Sequence, residues 1–257
     1  MRDDRESGPS DLERLSVGVG ERTRKKILRH SKSGRYLGLM SRAAIFDMDG
    51  VLIDSEPLWW RAGVEALHTV DVHLDDRLFG ETLGLRTDAA LAYWYERYPW
   101  AGKSLKQIEQ EVQERVLGLI GDEGQSLPGV HSLIHFLSER RVPIGVCSSS
   151  PYQVIHAVLD RLGIRQHFQV VYSAEDEPLG KPHPGAYLSC AARLGIPAPR
   201  CMAFEDSMAG AISAKAARMK VIAVLQGIRS TVFDFCDIRI DTLIDFTPDL
   251  LDQLLPT

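Results

Sequence analysis

Short apolar runs that alternate with helical stretches constrain the fold of this chain more than any other feature of its sequence. Each run is short enough to be a buried strand, and the stretches between the runs have the three- and four-residue apolar spacing of helices. Strand, helix and strand repeated in this way predict a parallel sheet covered by helices on both faces. The predicted strands are RAAIFDM (42–48), VPIGVCSS (142–149), FQVVYSA (168–174), RCMAFED (200–206) and KVIAVLQ (220–226).

One gap breaks the alternation. Roughly 90 residues separate the first two predicted strands, which is too many for a simple crossover connection. The segment from 56 to 125 reads as helical and contains all four tryptophans of the chain. We therefore predict an α/β fold: a doubly wound, Rossmann-like parallel sheet whose core (41–55 and 126–257) carries an inserted α-helical cap domain (56–125).

Composition and cysteine usage exclude several classes of protein. With 44% hydrophobic and 25% charged residues the chain is an ordinary globular protein, and no apolar run approaches the ~18–20 residues of a membrane span. The four cysteines form no CxxC pair, which favours reduced thiols over a disulfide framework or a zinc site. We expect a cytoplasmic protein with no membrane partner.

Charge is unevenly distributed along the chain. Residues 1–40 contain ten Lys and Arg against six Asp and Glu, with a basic cluster at 22–35, whereas the remainder is acidic. An acidic body argues against nucleic acid as the partner. We interpret residues 1–40 as a flexible basic leader, since charge runs of this kind are usually solvated.

Polar residues follow four of the predicted strands. In a doubly wound sheet, ligands bind beyond the carboxyl ends of the strands, so these residues are expected to meet at one edge. Hard oxygen ligands without His or Cys select Mg²⁺, which also binds substrate phosphate. The residues are Asp47 and Asp49 after the first strand, Ser148 to Ser150 after the second, Lys181 after the third, and Glu205, Asp206 and Ser207 after the fourth.

This set of residues predicts phosphoryl transfer. Asp47 can attack phosphorus and form an aspartyl-phosphate, and Asp49 can protonate the leaving alkoxide and later deprotonate the attacking water. Lys181, Ser148 and backbone N–H groups can hold the phosphoryl oxygens. Each motif alone also fits a turn, a helix cap or a surface lysine, but all four in this order favour a catalytic site.

The motifs FDMDG, the serine after the second strand, GKPHP and FEDSMAG together resemble the four-motif signature of the haloacid dehalogenase superfamily of phosphatases. The resemblance extends over about residues 42–256 and implies Asp47 as nucleophile and Asp49 as general acid/base. It implies phosphate binding by Ser148 and Lys181, with Ser149 as a further candidate. The implied magnesium ligands are the Asp47 side chain, the Asp49 backbone carbonyl, Asp206 and, directly or through water, Glu205.

The helical insert resembles the cap of the β-phosphoglucomutase-like subgroup. Within it, DSEPLW, TLGLRTD and YPW look most like the bacterial hexitol phosphatase/2-deoxyglucose-6-phosphate phosphatase type. This implies a phosphatase of small sugar or sugar-alcohol monophosphates, with Glu56 and Arg86 as candidate contacts to sugar hydroxyls. The mutase pattern KGxxR is absent, because Leu83 stands in the place of the lysine and Arg86 falls one position early.

Two alternatives to a phosphatase stay open at this point. A sugar phosphomutase would need a second phosphate site in the cap. A phosphate-accepting signalling domain of the receiver type also gathers carboxylates, a hydroxyl and a lysine around Mg²⁺, but such domains are about half this length and lack an insert after the first strand. A small cap on an acidic body is compatible with a monomer, which we expect.

Overall fold

The sheet at the centre of the molecule has six strands, and all of its strand pairs are parallel. A computed structural model describes residues 42–228 and 230–256, so the predicted leader lies outside the described residues. The strand order is β3-β2-β1-β4-β5-β6, which confirms the predicted doubly wound sheet. The strands are β1 (Ala43–Phe46), β2 (Ile144–Ser148), β3 (Val170–Ser173), β4 (Cys201–Glu205), β5 (Lys220–Val224) and β6 (Ile238–Ile240).

Strand β1 lies in the middle of the sheet, paired with β2 on one side and β4 on the other. Its four residues are fully buried. Ala44 and Phe46 pack into one hydrophobic cluster, and Ala43 and Ile45 pack into the cluster on the other side of the sheet. A strand buried on both faces has no polar positions, which explains why an unbroken apolar run leads into Asp47.

Helices flank the sheet and form the segment inserted after β1. None of the described helices is both long enough and apolar enough to cross a membrane. The helices of the insert are α1 (Glu56–His68), α2 (Asp76–Gly80), α3 (Thr87–Arg97) and α4 (Leu105–Glu123). The helices that follow are α5 (Val130–Glu139), α6 (Tyr152–Arg161), α7 (Gly185–Leu194), α8 (Met208–Ala216) and α9 (Pro248–Leu254).

Helices α1 and α4 form the centre of the insert. Helix α4 begins with a capping box, in which the Ser104 side chain accepts from Gln107 N–H and the Gln107 side chain accepts from Ser104 N–H. Every fourth residue of one α4 face is buried and packs in the core that α1 shares: Ile108, Val112, Val116 and Ile120. These four helices lie within the range predicted as the cap, whose exact domain boundaries stay a prediction.

Two chain segments connect the insert to the sheet, and they run side by side. Asp54 N–H donates to the Gln125 carbonyl at 3.1 Å, and Leu127 N–H donates to the Leu52 carbonyl at 3.2 Å. The chain therefore leaves and re-enters the core through one paired crossing. The insert stands beyond the carboxyl end of β1, where the predicted site residues lie.

Candidate active site

Lys181 lies at the centre of a buried charge cluster below the carboxyl end of β1. Its Nζ donates to Asp47 Oδ1 at 2.7 Å, to Glu205 Oε1 at 2.6 Å and to the Cys147 carbonyl at 3.2 Å. All three charged side chains are almost completely buried. The structure thus brings together one residue from each of three motifs that are widely separated in sequence.

Burial and the attraction between opposite charges shift the pKa values of Asp47 and Lys181 in opposite directions. Burial, reinforced by the charge of Glu205, raises the pKa of Asp47 to about 8 although Lys181 acts to lower it. Burial also disfavours the charged form of Lys181, but the neighbouring Asp47 and Glu205 outweigh it and leave the pKa of the ammonium above its ordinary value. A second cation is what would return Asp47 to its ionised form near neutral pH.

Glu205, the last residue of β4, is held by hydrogen bonds on both of its carboxylate oxygens. Tyr187 O–H donates to Oε1 at 2.6 Å, and Ser207 O–H donates to Oε2 at 3.1 Å. The Glu205 carboxylate packs directly on helix α8 at Gly210, where a Cβ atom would overlap it. Because Lys181 also occupies Oε1, this arrangement favours the water-mediated over the direct role predicted for Glu205 toward a metal.

Asp206 differs from Glu205 because its carboxylate accepts no hydrogen bond from the described part of the chain. One oxygen each of Asp47, Glu205 and Asp206 lie within 4.8 Å of one another. Burial, with the nearby Asp47 and Glu205, raises the pKa of Asp206 well above its ordinary value. Three clustered carboxylates with one unpaired member fit a hard divalent cation such as Mg²⁺.

Gly50 makes room for the Asp206 carboxylate. Its φ is +71°, a conformation that residues with a side chain rarely adopt, and a Cβ atom there would overlap Asp206. The glycine of the FDMDG motif thus lets the turn after Asp49 pass close to the motif that ends β4.

The Asp49 carboxylate accepts hydrogen bonds only from neutral donors among the described residues. Its Oδ1 accepts from Ser55 O–H at 2.6 Å and from Trp59 Nε1–H at 2.8 Å. Its Oδ2 accepts from Ser150 O–H at 2.7 Å and from Ser148 O–H at 3.3 Å. Two of these donors come from the start of α1 and two from the loop after β2, so the carboxylate is held between the insert and the core.

The predicted phosphate-binding serines occupy different positions. Ser148 is fully buried beside Asp49, and its oxygen also accepts from Ser150 N–H at 3.0 Å. Ser149 lines the cavity described below, and its O–H donates to the Gly84 carbonyl of the insert at 2.9 Å. Phosphate binding by Ser148, Ser149 and Lys181 stays a prediction.

A cavity of about 120 Å³ separates the sheet edge from the insert. Asp47, Asp49 and Asp206 line its core wall, whereas the wall formed by the insert is mostly apolar. No Lys, Arg or His is among the described residues that line it. The apolar residues of the insert wall are Trp59, Leu67, Phe79, Leu83, Leu85, Ala90, Leu91, Trp94 and Val112.

The two predicted sugar contacts lie in different surroundings. Glu56, the first residue of α1, is exposed and lines the cavity. Arg86 does not line the cavity. Its guanidinium donates instead to Asp88 and to the carbonyls of Ala174 and Glu177 in the core loop that precedes Lys181.

Sequence reasoning missed the residues that hold the predicted catalytic groups. Ser55 and Trp59 are four residues apart at the start of a helix, so a helical projection would have placed them on the same face. Tyr187 follows Lys181 by six residues on a buried helix face, and its hydroxyl needs a polar partner there. The strand pattern places Ser150 at the same sheet edge as Asp49, but it gave no sign of the hydrogen bond between these residues, which lie about a hundred positions apart in the chain.

The chain is similar to known proteins in sequence and in fold. The family model described as haloacid dehalogenase-like hydrolase matches residues 41–218. Hexitol phosphatase B of Escherichia coli is 40% identical over 213 residues, which cover 81% of this chain and 96% of that protein.

Two solved structures share the fold over most of their length. β-Phosphoglucomutase from Clostridium difficile superposes with a TM-score of 0.74 at 23% identity and covers 84% of this chain and 97% of its own. CbbY from Rhodobacter sphaeroides in complex with phosphate superposes with a TM-score of 0.77 at 25% identity, covering 83% and 100%.

Proposed function

Because the chain belongs to the haloacid dehalogenase-like hydrolase family, we propose that it is a magnesium-dependent phosphatase of small sugar or sugar-alcohol monophosphates. The observation that carries this proposal is the meeting of Asp47 and Asp206 on the core wall of one cavity, with Lys181 and Glu205 buried directly behind them. The similarity to hexitol phosphatase B supports the choice of substrate class.

The first half of the proposed reaction transfers the phosphoryl group to the enzyme. Asp47 attacks phosphorus, the bond from phosphorus to the sugar oxygen breaks, and Asp49 gives a proton to the leaving alkoxide. Lys181 neutralises charge that builds up on the transferred group. For Asp49 to reach the sugar oxygen, one of its four hydrogen-bond donors must give way.

The second half releases phosphate. Asp49, now ionised, takes a proton from water, the hydroxide attacks phosphorus, and the bond to the Asp47 carboxylate breaks. Inorganic phosphate leaves and both aspartates return to their starting states. The cap excludes bulk water during the first half.

Magnesium would be held by Asp47, Asp206 and the Asp49 backbone carbonyl, with Glu205 acting through water. When bound, the cation would offset the repulsion between the carboxylates and the phosphate dianion. The residues fit it because they are hard oxygen donors and because the Asp206 carboxylate has no hydrogen-bond donor in the described chain.

The phosphomutase alternative rests on the shared fold with β-phosphoglucomutase, which at 23% identity is a likeness of fold alone. A mutase must bind a second phosphate at the far end of its substrate, and a dianion there needs cationic partners. The described residues that line the cavity include no such side chain. The signalling alternative has no support, because the family to which the chain belongs is one of hydrolases.

Release of inorganic phosphate from a panel of sugar and sugar-alcohol phosphates, with Mg²⁺ and with a chelator, tests the proposal. We expect Mg²⁺-dependent hydrolysis of several monophosphates and no conversion of a sugar 1-phosphate into its 6-phosphate, even when a sugar bisphosphate is added. Absence of turnover with Mg²⁺ would refute the phosphatase proposal. Isomerisation that a bisphosphate stimulates would favour the mutase.

A further inference from the structure

The turn between α2 and α3, residues 82–86, contacts three separate loops of the core. The Gly84 carbonyl accepts from Ser149 in the loop after β2 at 2.9 Å. The Gly84 backbone also lies against Ser207, because a Cβ atom at Gly84 would come within 2.6 Å of Ser207 Oγ. The third contact is made by Arg86.

Arg86 joins this turn to the loop that precedes Lys181. Its Nη1 donates to the Ala174 carbonyl at 3.0 Å and to the Glu177 carbonyl at 2.8 Å. Its Nε and Nη2 donate to the two carboxylate oxygens of Asp88, at 2.9 and 2.5 Å. All three nitrogens are used, so the planar guanidinium has one orientation.

The aliphatic part of Arg86 lies across Gly180, the residue before Lys181. A Cβ atom at Gly180 would approach Cγ and Cδ of Arg86 to 3.2 Å. From the core side the same loop is held by Glu177, whose Oε1 accepts from Tyr172 O–H and Ser189 O–H. The loop is therefore fixed between Arg86 and the core, and it ends at the buried ammonium.

We propose that Arg86 is a positioning residue that docks the 82–86 turn on the loop before Lys181, so that cap closure and the placement of Lys181 are one event. Arg86 does this without touching the substrate, which differs from the sugar contact expected from sequence. Backbone carbonyls are its acceptors, and a fork of donors is the group suited to bind two of them at once. The catalytic part of this inference rests on the proposed function.

Hydrogen–deuterium exchange of the full chain tests the docking itself and needs no substrate. In Arg86→Ala we expect the backbone amides of residues 82–86 and 174–180 to exchange about tenfold faster or more. Both segments lose the hydrogen bonds of Arg86 that hold them together. Arg86→Lys should act in the same direction, since one ammonium cannot reproduce the fork. The matched control is Arg61→Ala, which removes an ion pair to Glu123 within the insert and should leave both segments unchanged.

Unchanged exchange of both segments in Arg86→Ala would overturn the docking role. Steady-state kinetics on the best substrate then test its consequence. We expect kcat to fall about 10- to 100-fold with KM within about twofold, since misplaced reacting groups slow the chemical step.

A rise in KM at unchanged kcat would instead make Arg86 a substrate ligand and overturn the proposal. A lower melting temperature with unchanged kcat below it would assign Arg86 a structural role only, which also overturns it. If the wild-type protein hydrolyses no sugar phosphate, the proposed function fails while the exchange result still decides the docking.

Discussion

The two walls of the cavity are built from opposite chemistries. The core wall has three carboxylates that follow strand ends of one sheet, and behind them lies the buried ammonium of Lys181, at the end of the loop after β3. The wall formed by the insert has aromatic and aliphatic side chains and, among the described residues that line it, one carboxylate, Glu56. Under the proposed function, the core wall would perform the reaction, while the insert wall would exclude water and select the group that carries the phosphate.

The largest effect is expected for the nucleophile on the core wall. Asp47→Asn removes the attacking oxygen and should lower kcat by about 10⁴-fold or more, measured as phosphate release with Mg²⁺. The matched control is Asp54→Asn, which changes an exposed aspartate in the same segment and should leave kcat unchanged. Wild-type turnover by Asp47→Asn would mean that another group is the nucleophile.

The next largest effect is expected on the affinity for Mg²⁺, because the metal competes with a proton for the Asp47 carboxylate on the core wall. Because burial raises the pKa of Asp47 to about 8, metal binding below that pH must displace a proton, and the affinity for Mg²⁺ rises with pH. For this one proton the gain should approach about tenfold per pH unit between pH 6 and 7, become smaller toward pH 8 and level off above it. Calorimetric titration of the metal-free protein in two buffers measures both the affinity and the proton release.

The outcome that would contradict this expectation is the same affinity at pH 6 and 8 with no proton released.

The raised pKa of Asp47 also predicts how the stability of the metal-free protein depends on pH. A carboxyl whose pKa is raised on folding holds a proton that the unfolded chain has already released. The metal-free protein should therefore lose stability as pH rises from about 4 to 8, which thermal unfolding measures.

Trp59 connects the two walls, and its removal should have an intermediate effect. Trp59→Phe keeps a ring in the insert wall but deletes the N–H that donates to Asp49, so kcat should fall about tenfold. The neighbouring Trp60 offers a matched control, because its Nε1 is buried without a partner in the described chain. If Trp60→Phe slowed turnover as much as Trp59→Phe, the hydrogen bond to Asp49 would not be the cause.

The smallest effect is expected on the insert wall. Glu56→Gln should raise KM for a sugar phosphate about threefold with little change in kcat, as expected for one exposed hydrogen bond to a hydroxyl. Glu65→Gln, on an exposed position of the same helix, serves as the control. A drop in kcat with constant KM would mean that Glu56 takes part in the reaction. The proposed separation, with the reaction on the core wall and substrate selection on the insert wall, would then be wrong.

The sequence was sufficient to predict the core wall because its residues sit at fixed positions relative to strand ends. Asp47 and Glu205 meet once the sheet forms, since parallel strands bring their carboxyl ends to one edge, and the loop after β3 brings Lys181 to the same edge. Strand β6 escaped prediction because its three residues, one of them exposed, give no apolar run. Its place is set by pairing with β5.

The insert wall could not be predicted in the same way. Where a cap side chain points depends on how helices dock on a distant loop, and no local pattern encodes that. Arg86 shows the difference: the sequence suggested it as a sugar contact, but the carbonyls to which it donates lie 88 and 91 residues further along the chain. Asp49 is an intermediate case, with two donors nearby in sequence and two from the loop after β2.

The space left by Gly50 and Gly210 has a consequence for protein engineering. Exchanging glycine for alanine is a common way to stabilise a protein, because it lowers the entropy of the unfolded chain. At these two positions the added methyl would fall on the carboxylates of Asp206 and Glu205. In a saturation library both positions should tolerate as little change as the aspartates themselves, although neither contributes a functional group. Stabilising designs should therefore leave both glycines untouched.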